Sequence, residues 1–244
     1  MADPPSTAPA TLPTEEGRGF GTDLGRMIAL SDGIFGFAMT LLIVTLAIPV
    51  SSGASQYPNI YAYFSKTNIG YSLLAYALGF LVVANWWSLH QRLFGVIVRS
   101  DANLLRLNNF LLLCISITPF VMSLVFSYGP STVLTQSPSA KAAVASFAIL
   151  EVITGLLIWG IWRYASTGNR LIEPSVSRAA IAEAERQNLE RVALFALSAG
   201  VAFVLPQIGV WIWAGVVGRI GARKHLLRPK KGGATPAAPA QAKA

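Results

Sequence analysis

Charge is scarce in this chain. Asp, Glu, Lys and Arg make up 12% of its 244 residues, against about a quarter in a soluble domain. That shortage argues against an ordinary soluble domain. The single cysteine, Cys114, allows no intrachain disulfide and says nothing about redox compartment. There are two histidines, His90 and His225, and the second lies in a basic tail. With no nucleophile paired to a base and no metal-ligand spacing, neither an enzyme nor a cofactor is expected. The N-terminal MADPPSTAPATLPTEEGRGFG lacks a basic region followed by an apolar stretch, so no cleavable signal peptide is expected. Its GRGFG follows no strand and does not read as a phosphate loop.

What is abundant is apolar. Such residues make up 53% of the chain, and the mean hydropathy is +0.53. Runs long enough for a bilayer, about 20 residues, cover roughly 27–49, 69–98, 104–126 and 142–162. A fifth, 192–218, is free of charge but has Pro206 at its middle, which fits one kinked span or two short ones. The basic residues decide, because Lys and Arg favour cytoplasmic loops. With six spans and a cytoplasmic N-terminus, 17 of the 19 basic residues fall inside; Lys66 and Lys141 are the exceptions. With five spans, the C-terminal seven fall outside. The expected fold is therefore an all-α, multi-pass membrane protein with six transmembrane helices, a tight turn near Pro206 and both termini cytoplasmic. The last two helices are expected to start near Leu189 and end near Arg223. The segment PSVSRAAIAEAERQNLE, rich in helix formers, is expected to form a short interfacial helix. Residues 1–21 and 227–244 read as disordered tails, flanking a membrane domain over 22–226.

Polar groups at membrane depth are costly, so each marks a candidate site. They are Asp32, His90, Glu151 and the amides of Asn85, Asn108 and Asn109. Arg26 and Arg92 lie closer to the interface and can snorkel. On a helical wheel of the first span, Phe37, Leu41 and Val44 share one stripe with Thr40 at its edge. Ser31 and Asp32 point about 120–140° away from it. One face can line a path while the other packs on neighbouring helices.

The run Arg26-x-x-x-Leu30-Ser31-Asp32-Gly33 resembles the R-x-x-x-F-S-D signature of the endosomal/lysosomal potassium channel family, the transmembrane-protein-175 type, whose bacterial members have six helices. Leu30 replaces the family's aromatic. The resemblance extends to Trp87, His90 and Phe94 in the second helix, Asn109 and Pro119 in the third, and Trp162-Arg163-Tyr164 at the end of the fourth. It implies a homotetramer in the cell membrane whose first helices line a central pore for potassium ions. It also implies no carbonyl filter, and the chain has no T-V-G-Y-G; Asn68-Ile69-Gly70-Tyr71-Ser72 comes closest and lacks the second glycine. Carried onto this sequence, the constriction falls at Phe37, with Thr40, Leu41 and Val44 in the adjoining layers. Members usually carry Ile or Leu at the Phe37 position.

An apolar ring passes an ion only if part of its hydration shell is shed, which favours potassium over sodium. Ser31 and Asp32 are expected to join Arg26, Trp87, His90 and Asn109 in a structural polar network that fixes the first helix. The alternative is a proton channel or proton-coupled transporter using Asp32, His90 and Glu151. Basic residues from Arg219 to Lys231 read first as a topology signal and second as a contact for anionic lipid. No nucleic-acid partner is expected.

Overall fold

The computed structural model describes residues 20–46, 58, 59, 61, 62, 69–128 and 137–221. Within them are six α-helices: α1 Phe20–Thr45, α2 Ile69–Phe94, α3 Ala102–Tyr128, α4 Pro138–Ser166, α5 Arg178–Ala202 and α6 Pro206–Gly221. Four of these, α1 to α4, are long and apolar enough to cross a membrane. The protein is thus all-helical with several apolar, membrane-capable helices. The expected tails lie outside the described residues, except that α1 already begins at Phe20.

A helix satisfies its own backbone donors and acceptors, which suits long apolar segments in an apolar solvent. The hydroxyls follow the same logic. Thr40 Oγ1 donates to Phe37 O at 2.8 Å, Thr45 to Leu42 O at 2.9 Å, Ser88 to Ala84 O at 2.8 Å and Thr154 to Leu150 O at 2.9 Å. Each returns to a carbonyl three or four residues back on its own helix.

α1 packs against α2 and α3, α3 against α4, and α4 against α5, while α6 closes on α2, α4 and α5. The α4–α5 pair is an antiparallel ladder of polar rungs. Trp162 Nε1 donates to Ile181 O at 3.2 Å, Trp159 Nε1 to Glu185 Oε1 at 3.0 Å, and Asn188 Nδ2 to Gly155 O at 3.0 Å. Each rung lies about one turn further along both helices. This ladder corrects the expected interfacial helix. The segment after Pro174 is the first half of α5, begun at the Ser177 cap and laid along α4, so α5 starts at Arg178 and not near Leu189.

The turn expected near Pro206 is present. Phe203 and Val204 form it and Pro206 opens α6. The first helical position suits a proline, whose missing N–H has no intrahelical role there. Buried Ser198 joins the two limbs, donating to Gly209 O at 2.9 Å and accepting Trp213 Nε1 at 2.8 Å. Residues 69–72 of the NIGYS fragment belong to the first turn of α2, so they form ordinary helix and no filter.

The loops after α2 and α4 meet in a short antiparallel bridge, Ile97 to Ile172. Val98 N donates to Leu171 O and Glu173 N to Val96 O, both at 2.9 Å.

Candidate functional site: the two faces of the first helix

α1 divides cleanly. Met27, Ser31, Phe35, Ala38, Leu42 and Leu46 are buried, recurring every three or four residues. The opposite stripe is open: Phe37 is 64% exposed and Val44 72%. Thr40 is exposed beside them and Leu41 half-buried. The structure therefore brings Phe37, Thr40 and Val44 onto the outward side of the helix packing, with Leu41 at its edge.

The inward side is fixed by a directional chain. Ser31, 0% exposed, donates its hydroxyl to Met27 O at 2.8 Å. Asn108 Nδ2 donates to Ser31 Oγ at 3.0 Å. Since the amide nitrogen is spent on Ser31, Asn108 Oδ1 faces His90 and accepts from its Nε2, 3.0 Å away. That assigns the hydrogen to Nε2 and leaves Nδ1 without a hydrogen-bond partner among the described residues. His90 sits between Phe94, stacked at 4.0 Å, and Phe35, tilted at 5.5 Å.

Asp32 is held separately, at the edge of the packed face. Its Oδ1 accepts Trp87 Nε1 at 2.9 Å and also Gln91 Nε2. Two donors one turn apart on α2 thus clamp one carboxylate oxygen of α1.

Two expected members of the network do not belong to it. Asn109 is exposed; the buried amide is its neighbour Asn108. Adjacent residues on a helix point about 100° apart, so only one of the two can face α1. Arg26 is exposed as well. It lines an open groove of about 660 Å³ with Met27, Leu30, Ser100, Asp101, Ala102 and Leu105, and makes no hydrogen bond to the network. Gln91 was not among the sequence candidates. Its signal was position: it lies four residues after Trp87, on the same helix face.

Glu151 stands apart from this site. It is fully buried and accepts Trp86 Nε1 at 2.5 Å, in a layer shared by α2 and α4. Neither side-chain polar atom of Asn85, also buried, has a hydrogen-bond partner among the described residues.

At the end of α2 and the start of α3, outside the spans, Asp101 ties three elements. Its Oδ1 accepts Leu104 N at 2.9 Å and its Oδ2 accepts Tyr164 OH at 2.6 Å. Arg170 lies 4.0 Å from Oδ2 and stacks over Tyr164 at 4.9 Å. Burial pushes the carboxyl up, but the hydrogen bonds from Tyr164 and Leu104 and the Arg170 charge outweigh it, and the net shift is downward.

These features define a polytopic helical membrane protein with its first helix pinned on one face and open on the other. Comparison with known proteins is specific. The model of the family described as endosomal/lysosomal potassium channel TMEM175 matches residues 26–119. A potassium channel of Chamaesiphon minutus is 27% identical over 205 residues, covering 80% of this chain and 90% of that protein. A potassium channel of Streptomyces collinus is 28% identical over 192 residues, covering 74% and 82%. The human endosomal/lysosomal proton channel TMEM175 is 24% identical over 155 residues, which is 64% of this chain but 28% of the human protein. The crystal structure of a lysosomal potassium-selective channel TMEM175 homologue from Chamaesiphon minutus superposes with a TM-score of 0.69 at 21% identity. It covers 82% of this chain and 97% of that one, and shows the fold. The resemblance first drawn from Arg26 to Gly33 is therefore shown.

Proposed function

We propose that the chain is a potassium-selective ion channel. In this reading it assembles as a homotetramer of six-helix subunits, with both termini cytoplasmic and α1 lining the pore. A hydrophobic constriction at Phe37, adjoined by Thr40, Leu41 and Val44, takes the place of a carbonyl filter. The observation that carries it is the contrast on one helix: Ser31 is wholly enclosed, while Phe37 lies 64% exposed on the far side. A helix held this firmly on its inner face presents a fixed outer face, which is what a pore wall needs. The names of the two bacterial relatives support the permeant.

The physics is desolvation. Four phenylalanines around an axis offer no polar replacement for hydration water, so passage favours the ion that loses its water more readily, potassium over sodium. Thr40 oxygens next to the ring offset part of that cost.

α5 and α6 complete the membrane domain as a hairpin. α6 has 16 residues, a rise of about 24 Å. The α4–α5 ladder extrapolates to a hairpin tip level with the start of α4, so the hairpin reaches the same membrane face as Pro138.

The second reading is a proton channel or proton-coupled transporter; the name of the human relative favours it. Asp32, His90 and Glu151 then carry the proton. One experiment separates the two: purified protein in liposomes with opposed potassium, sodium and proton gradients. The channel reading expects potassium flux in the wild type. It also expects Phe37→Ala to weaken potassium-over-sodium discrimination about 5–10-fold, equivalent to about 1–1.4 kcal/mol. Proton flux abolished by Asp32→Asn and indifferent to Phe37→Ala would overturn it in favour of the second.

A further inference from the structure

Trp86 and Trp87 are neighbours on α2, yet they bond in different directions: Trp87 to Asp32 of α1, Trp86 to Glu151 of α4. The second contact plays no part in the channel reading. Glu151 is 1% exposed. Its Oε2 accepts the Trp86 indole N–H at 2.5 Å, and its Oε1 has no hydrogen-bond partner among the described residues.

The surroundings are tight. One turn further along α4, a Cβ added to Gly155 would stand 2.6 Å from Val192 Cγ2 and 3.0 Å from the Trp86 ring. Trp86 in turn packs on Phe195, with ring centroids 6.1 Å apart. Around Gly155 and the Trp86 ring, side chains close on one another, and no group of three or more His, Cys, Asp or Glu that could hold a metal ion occurs among the described residues.

Most charged groups of the packed helices lie toward helix ends; on α5, Arg178, Glu183, Glu185 and Arg186 lie in its first turns. α2 brings His90 and Arg92, nearer its end. α3 brings Cys114 in its middle and Arg106 nearer its start. α5 brings Glu190 and Arg191, and Arg191 Nη1 donates to Gln187 O at 2.9 Å. α6 brings Arg219 near its end.

A carboxylate in such a place loses its hydration and regains one indole donor. Removing an ion from water costs several kcal/mol unless hydrogen bonds replace the shell. The cation that neutralises it without needing room is the proton. We propose that Glu151 is a proton-binding site, enclosed by α2, α4 and α5 and separate from the Phe37 stripe. In this arrangement Oε1 carries the proton while Oε2 accepts the Trp86 indole N–H. The proposal does not depend on which ion the protein conducts.

The test is infrared spectroscopy of the full-length protein in lipid bilayers at neutral pH, comparing wild type with Glu151→Gln, Asp32→Asn and Trp86→Phe. Glu151→Gln keeps an oxygen for Trp86 and so preserves the packing. The wild type is expected to show a protonated-carboxyl C=O band equivalent to one group per subunit. The band is lost in Glu151→Gln, kept in Asp32→Asn, and kept but shifted in Trp86→Phe, where its hydrogen bond is gone. Absence of the band in the wild type, or its survival in Glu151→Gln, overturns the proposal. An unshifted band in Trp86→Phe overturns the role given to the indole.

Discussion

Asn108 of α3 donates to the hydroxyl of Ser31 on α1 at 3.0 Å while accepting from His90 of α2. One amide thus sets the rotation of the first helix against both of its neighbours. The candidate pore residues face outward because Ser31 faces in.

The amide contact sets up the first prediction. Asn108→Ala leaves Ser31 and His90 without their buried partner, and such losses cost about 1–3 kcal/mol. Asn109→Ala removes an exposed amide and stays within about 0.5 kcal/mol of wild type. Thermal or chaotrope unfolding in a mild detergent reads both. Equal effects would mean that Asn108 does not organise α1.

Gln91 and Trp87 converge on Asp32 Oδ1, so their effects should not add. Removing either leaves the carboxylate one donor; removing both leaves that oxygen none. A double-mutant cycle with Trp87→Phe and Gln91→Leu should give a coupling of about 0.5–3 kcal/mol. Strict additivity would show that the two donors act independently of Asp32.

Two glycines of α4 should behave oppositely. Gly155→Ala forces a methyl against Val192 and Trp86; overpacking of this kind costs about 1–3 kcal/mol, and Val192→Ala should restore part of it. At Gly160 an added Cβ meets nothing within 4 Å, so Gly160→Ala should gain up to about 1 kcal/mol from helix propensity. The same unfolding assay compares them.

Asp101 gives a pH dependence of known sign. Its carboxyl is lowered in the folded protein: the effect of burial is outweighed by Tyr164, Leu104 and Arg170. A lowered folded value means that the stabilisation is fully present above the ordinary Asp range, about pH 4. It is lost as pH falls through the folded value. Tyr164→Phe should move the acid limb of a stability–pH curve toward higher pH, and Asp101→Asn should remove that limb. An acid limb unchanged in both variants would place the acid sensitivity elsewhere.

The membrane-capable helices were legible because hydropathy and length answer directly to bilayer thickness. So was the opposition of Ser31 to Phe37, because a helix wheel fixes angles within one element. Which helix a face meets was not legible. Asn108 and Asn109 differ by one residue, and only packing against Ser31 and His90 selects the first. Gln91 escaped because a neutral amide beside His90 looks ordinary until its carboxylate partner comes into view from 59 residues away. The first half of α5 read as a short interfacial helix because it is rich in helix formers. Its rungs to Trp159 and Gly155 on α4 are invisible without the fold.

The Thr40 hydroxyl has its hydrogen committed to Phe37 O. In the proposed pore, an ion passing Thr40 therefore meets oxygen lone pairs at that hydroxyl rather than its O–H. A halide finds no donor there, whereas a cation finds an acceptor. In the proposed pore, the backbone carbonyl three residues back decides the sign of the charge that the threonine layer welcomes, before size or hydration enters.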